Sequence, residues 1–158
     1  MPLRNIRETM QLPIENAAPP GLLRRLAAIF YDSWLVAAIW LLGATAETFI
    51  RAGLGMVDDA ASHRPLQAFL LLSPAVFFGW FWTHGGQTLG MRAWRLKLLD
   101  SSGSPVTWRQ SLIRYGAAWL SLLALGLGYI WVWIDPQGLS WHDRLSGTRL
   151  VVLERTAK

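Results

Sequence analysis

The chain contains no cysteine, only three histidines and few charges. Without cysteine there is no disulfide framework, no thiolate zinc site and no iron–sulfur cluster. His63, His84 and His142 show no ligand spacing among themselves, which argues against an imidazole metal centre. Charged residues make up 16% of the 158, against roughly 25% in an average soluble protein. So few polar groups do not cover an isolated soluble enzyme of this size. There is no G-x-S-x-G elbow and no H-E-x-x-H helix, so hydrolytic chemistry has neither a nucleophile nor a metal. Gly85-x-x-x-x-Gly90 opens like a phosphate loop, yet Met91 and Arg92 follow where Lys and Ser/Thr are required. We therefore expect no enzyme, no metal and no cofactor. Residues 1–20 are polar, hold four prolines and lack an apolar core; they read as a tail and not as a signal peptide.

What the chain does have is apolar length. Apolar residues make up 53%, ten residues are Trp, and the apolar positions come in blocks. Residues 26–46 hold a single charge, Asp32. At about 1.5 Å per residue they cover the roughly 30 Å hydrocarbon core of a bilayer. Residues 66–82 carry no formal charge and predict a second span; Pro74 within it removes a backbone donor and predicts a kink that frees the Leu70 carbonyl. Trp80, Trp82, Trp131, Trp133 and Trp141 read as interfacial anchors. The net charge of +5 comes from cations that flank the apolar blocks and form no continuous face. That placement is topological, so the expected partner is the lipid bilayer and not nucleic acid. Residues 51–65 form a loop on the far side.

Beyond residue 90 the texture changes. Residues 91–100 alternate and predict a short strand ahead of a Ser-Ser-Gly-Ser-Pro turn. Residues 105–114 begin a helix with Thr107 as a candidate N-cap, and residues 148–153 predict a second strand. A third apolar block, 111–134, holds Arg114 near its start and Gly126-Leu-Gly128 in its middle. Lys and Arg number four before the first span, two in residues 51–64, five from Arg92 to Arg114 and four from Arg144 to Lys158. Positive-inside reasoning places the N-terminus, the middle segment and the C-terminus together in the cytoplasm. A full crossing by 111–134 would strand the last four cations outside. A break at Gly126–Gly128 would return the chain, and would let residues 95–99 pair with 148–153. We favour the return. The predicted fold class is an all-α integral membrane protein: two transmembrane helices, a third apolar segment that spans or re-enters, a small cytoplasmic strand pair, and a C-terminal tail at 154–158.

Four segments at compatible spacings resemble the RDD family, small bacterial membrane proteins named for one arginine and two aspartates. They are Gly21-Leu-Leu-Arg-Arg-Leu-Ala-Ala followed by Asp32; Gly86-Gln-Thr-Leu-Gly-Met-Arg, similar to G-x-T-L-G-K-R; Asp100 to Arg114, similar to D-x-x-G-x-P … R; and the run from Trp141 to Val152, similar to H-D-x-x-x-G-T-x-V-V. The resemblance covers residues 20–153. It implies a multi-pass fold in the bacterial cytoplasmic membrane and a role in transport of some ligand. It marks Arg25, Asp32 and Asp143 as the family residues, with Gly86, Thr88, Gly90, Arg92, Arg114, His142, Gly147 and Thr148 in support. Met91 replaces the family lysine, so any role for a cation there falls to Arg92.

Asp32 is the sharpest chemical feature. It lies seven residues after Arg25, two turns of helix, on nearly the same side and about 10 Å along the axis. A carboxylate at that depth is costly unless paired or wet. Two readings stand: an exchanging group for a proton or cation, tuned by Arg25, or a static interhelical pair with Arg114 as a partner. Arg24 and Arg25 also fit ordinary snorkelling anchors. Asp143 fits a cap or a salt bridge tying the strand region to the loop after the second span. The expected function is transport of an ion or small ligand through an intramembrane carboxylate; the alternative is a non-transporting scaffold or accessory subunit. The chain is small and shows no inverted repeat, so transport calls for a homo-oligomer or a membrane-protein partner.

Overall fold

The structure, a computed structural model, describes residues 19–56 and 63–153. Residues 1–18 of the tail expected at 1–20, the tail expected at 154–158 and the loop residues 57–62 lie outside the described residues. Helix α1 (Leu22–Leu54) follows an extended Gly21 and ends where Gly55 turns left-handed, its N–H donating to the Ala52 carbonyl. It is longer than the apolar block at 26–46. Arg, Glu and Lys are as good at continuing a helix as Leu, and Glu47 and Arg51 face each other one turn apart at 3.9 Å. In its first half the buried positions, Leu22, Arg25, Ala28, Asp32 and Val36, recur every three or four residues and so mark one stripe; Arg51 is buried near its end. Leu23, Phe30, Trp34, Leu41 and Leu42 on the other faces are exposed.

Helix α2 (Arg64–Thr83) is apolar all round, with Pro74 inside it and only Pro74 and Gly79 buried. It returns alongside α1, where the Phe69 ring fills the space a Cβ on Gly43 would take and the Trp40 indole donates to Ser73 Oγ at 3.2 Å. Among the described residues, α1 and α2 are the two helices long and apolar enough to cross a membrane; the bent third block would add one more if counted as a single span.

The alternating run at 91–100 folds differently from expectation. Residues 89–93 form a helical turn, α3 (Leu89–Ala93), and Arg95 sits at a positive φ of 54 before the strand starts. Strand β1 (Leu96–Asp100) then pairs antiparallel with β2 (Thr148–Val152), Leu98 opposite Leu150. Between them, α4 (Trp108–Leu123) opens with the expected Thr107 cap, completed by Gln110 into a reciprocal box. Past Leu123 the backbone turns left-handed at Leu125 and Gly126, and the short α5 (Leu127–Ile130) runs at 109° to α4. This is the break expected at Gly126–Gly128. A 3-10 turn, Trp131–Trp133, leads to α6 (Trp141–Ser146), capped by Ser140 with Asp143.

The buried apolar cluster, Ala28, Met91, Leu96, Leu98, Val106 and Leu150 with Trp82 and Val152 against it, lies at one end of the α1–α2 hairpin. The third block starts from that end and comes back to it, since β2 pairs with β1. Gly90 sits where α3 meets α1: a Cβ there would overlap the Ala28 carbonyl and the Asp32 carboxylate. Gly90→Ala should therefore lower stability by about 1–3 kcal/mol, the usual range for overpacking. Gly116→Ala, in the middle of α4 with open space around it, should be neutral or stabilising by up to about 1 kcal/mol. Thermal unfolding in detergent reads both; equal effects at the two sites would refute the close approach.

Candidate functional site

Two polar clusters grow from the buried stripe of α1. The first is an ion triad. Arg25 Nη1 donates to Asp143 Oδ2 at 2.6 Å, and Arg114 Nη1 donates to the other carboxylate oxygen at 2.5 Å. The side chains are 3%, 6% and 0% exposed for Arg25, Arg114 and Asp143. Each member is further satisfied: Arg25 by the carbonyls of Pro20 and Gly138, Arg114 by Thr148 Oγ1 at 2.8 Å, and Asp143 by the Ser140 N–H at 2.9 Å. The Arg114 guanidinium also lies 5.5 Å from the Trp82 ring centroid, a cation–π distance. Trp82 is thus half-buried against a cation, whereas Trp80 and Trp133 are exposed. Gly147, left-handed at φ 62, ends α6 so that Thr148 can reach Arg114.

Asp32 forms the second cluster, and here the structure corrects the sequence reading. Arg25 and Asp32 do share a face, but Asp32 pairs with neither Arg25 nor Arg114. Thr88 Oγ1 donates to its Oδ2 at 2.5 Å and the Gly90 N–H to its Oδ1 at 2.8 Å. Thr88 is itself the N-cap of α3, accepting from the Met91 N–H. Gly86 places this loop: at φ +71 its carbonyl accepts from the Leu98 N–H at 2.7 Å, and a Cβ would overlap the Leu98 carbonyl. The Gly86-x-Thr88-x-Gly90 pattern is therefore a clasp between α1 and β1, and Arg92 stands exposed outside both clusters. Asp143 is corrected as well: it caps α6 as expected, but its salt bridges run to α1 and α4 and not to the loop after α2.

Both clusters border one cavity of about 370 Å³ among α1, α2, α4 and α6. Its polar lining includes Arg25, Asp32, Arg114, Tyr115, Tyr129 and His142; the walls include Val36, Trp40, Phe78 and Trp119. Two lining side chains keep buried polar atoms without a partner, Tyr115 Oη and His142 Nδ1. The tyrosines were not marked in the sequence, where no short-range pattern separates them from the other aromatics. The Ser140-x-x-Asp143 box was detectable as a capping signature. Burial, reinforced by Arg114 and opposed by Asp143, holds the His142 imidazole down at about 3. Burial pushes the Asp143 carboxyl up, but the Arg114 and Arg25 guanidiniums outweigh it and hold it well below the usual carboxylate range.

Asp143→Asn should be strongly destabilising, by about 3–5 kcal/mol, because two buried guanidiniums lose their shared counter-charge. A loss under about 1 kcal/mol in detergent melts would refute the triad as an essential tie. His142 supplies a pH dependence. Its folded pKa of about 3 lies below the ordinary value near 6.5, so the unfolded chain binds the extra proton between those values. Stability should then fall as pH drops below about 6.5, by about 1.4 kcal/mol per unit from this group. His142→Gln should flatten that part of the curve; parallel melting curves for the two proteins would overturn the assignment.

The RDD family matches residues 19–147, a stretch containing both clusters with the exception of Thr148. No curated protein and no solved structure matches the chain significantly. The match covers well over half of the chain, and the chain belongs to the RDD family.

Proposed function

We propose that this RDD protein is a multi-pass protein of the bacterial cytoplasmic membrane that carries a small ligand by way of the cavity between α1, α2 and α4. The observation behind this reading is the cavity itself. It sits between two helices apolar enough to span a bilayer, it has the volume of a small-molecule site, and it is bordered by an acidic side chain at span depth. Intramembrane carboxylates are costly and generally mark pathways. Asp32 is the group assigned to proton exchange coupled to ligand movement, without tuning by Arg25, whose charge is engaged by Asp143. The charge distribution along the sequence supports a cytoplasmic N-terminus. Because β2 returns to the end where α1 begins, the C-terminus belongs on the same side. A chain of 158 residues without an inverted repeat favours a homo-oligomer or a membrane-protein partner.

The competing reading is a scaffold or accessory subunit. It draws on the apolar residues that α1 exposes at its far end, Phe49, Ile50 and Leu54 among them, which suit a partner helix as well as lipid. Reconstitution decides between the two. Liposomes holding the full chain and an entrapped pH indicator are challenged with monovalent cations and small neutral solutes under an imposed pH gradient. Solute-dependent proton movement is expected, and it should vanish in Asp32→Asn. That variant should insert and fold, since its amide oxygen still accepts from the Gly90 N–H and its NH₂ donates to Thr88 Oγ1. Full movement in Asp32→Asn across neutral and alkaline pH would remove Asp32 from the mechanism. No movement for any solute, with a stable co-purifying membrane protein, would select the scaffold.

A further inference from the structure

The cavity's lining says what kind of ligand it takes. Its charges are closed among themselves. Arg25 and Arg114 share Asp143, and Asp32 is held by the Thr88 hydroxyl and the Gly90 N–H. Two guanidiniums stand against two carboxylates, so the formal charge around the space is zero. A charged guest would have to break one of these pairs or enter uncompensated, and either costs several kcal/mol in a low-dielectric site. What the cavity leaves unmet is neutral hydrogen bonding: Tyr115 Oη and His142 Nδ1 are buried on lining side chains without partners. His142 is 5% exposed. An orphaned buried polar atom costs about 1–3 kcal/mol, and a guest that supplies the missing bond recovers part of that. The remaining wall is apolar and rich in aromatic rings, with Trp40, Phe78, Trp82 and Trp119.

We propose that the cavity is a binding site for an uncharged amphiphile: an apolar, ring-bearing body with one hydroxyl or carbonyl that hydrogen-bonds to Tyr115 Oη and His142 Nδ1. This assignment rests on the reading of the cavity as the ligand site, but it does not require that the ligand be transported. The body lies against the tryptophan and phenylalanine walls. The head group is placed beside the ion triad without joining it. Tyr115 and His142 set specificity by accepting a neutral hydrogen-bonding partner and offering no counter-charge.

A matched probe series tests this. The full chain in lipid nanodiscs is titrated with 2-naphthol, 2-naphthoate, 2-naphthylmethylammonium and naphthalene at neutral pH. Quenching of tryptophan fluorescence is the readout, with empty discs as the partitioning control. Naphthol should bind saturably, and about five- to tenfold more tightly than naphthalene, the increment of one hydrogen bond. Both ions should bind more weakly than naphthol. Tyr115→Phe, which keeps the ring and therefore the fold, should weaken naphthol several-fold toward the affinity of naphthalene, the His142 bond remaining, and leave naphthalene unchanged. Ala118→Trp, which fills the cavity from α4, should abolish saturable quenching by naphthol. Tighter binding of either ion, an unchanged naphthol affinity in Tyr115→Phe, or undiminished binding in Ala118→Trp would each overturn the proposal. The transport reading fails separately: naphthol selectivity without any flux in liposomes would refute the carrier and keep this site, whereas flux without naphthol selectivity would do the reverse.

Discussion

Asp143 is the group on which the rest of this structure depends. Its two carboxylate oxygens hold Arg25 from α1 and Arg114 from α4, while its place in the Ser140 capping box fixes α6. One side chain thus joins three elements that are distant in sequence. A buried ion pair is weak evidence for net stability, because desolvation consumes most of the Coulombic gain. Its value here is register. With both arginines engaged by one carboxylate, α1 cannot slide or rotate relative to α4 without exposing an unpaired buried charge. The apolar contacts of two smooth helices supply no such constraint.

Asp32 does a related task about two turns further along α1 from Arg25. By accepting from Thr88 and Gly90 it acts as an external cap on α3, an arrangement favoured by the positive end of a helix. The clasp ties α1 to the loop that starts β1, and the sheet then ties β1 to β2, which follows α6. Triad and clasp therefore close a ring of contacts at one end of the α1–α2 hairpin. At the far end the described residues show the Trp40–Ser73 contact, the Phe69–Gly43 packing and the Glu47 pairs with Arg51 and His63.

How much of this was legible follows from the range of each interaction. The apolar blocks, the Thr107 cap, the break at Gly126 and the strand pairing are local signals or sums over a window, and these were readable. The α1 boundaries were not, because helix-forming charged residues extend a helix past its apolar block. The partners of Asp32 were misassigned because helix periodicity places side chains on a face without saying what faces them. Arg25 and Asp143 are 118 positions apart, and Asp32 and Thr88 are 56 apart. The Thr88-x-Gly90 pattern, a capping residue before a position too tight for a Cβ, was the one available hint. The α3 turn was missed because five residues are too few to establish a period, and the alternation carried on through it.

The third apolar block shows how the chain can return without relying on the triad. Helix α4 has 16 residues, about 24 Å at 1.5 Å per residue, short of the roughly 30 Å of a hydrocarbon core. Non-helical backbone at such a depth is tolerable only where its polar groups are satisfied within the protein. Much of the turn meets that condition locally: the N–H groups of Gly126, Leu127 and Tyr129 donate to the carbonyls of Ser121, Ala124 and Gly126. Gly128 packs against the Ser121 side chain, where no Cβ would fit. The bend is thus a local property of Leu125–Gly128, with a leucine held at positive φ at a cost of about 1–2 kcal/mol. What the bend leaves open is where the returning chain lands. Asp143 supplies that answer, because only one placement of α6 brings its carboxylate to both arginines, and it is the same placement that brings β2 to β1.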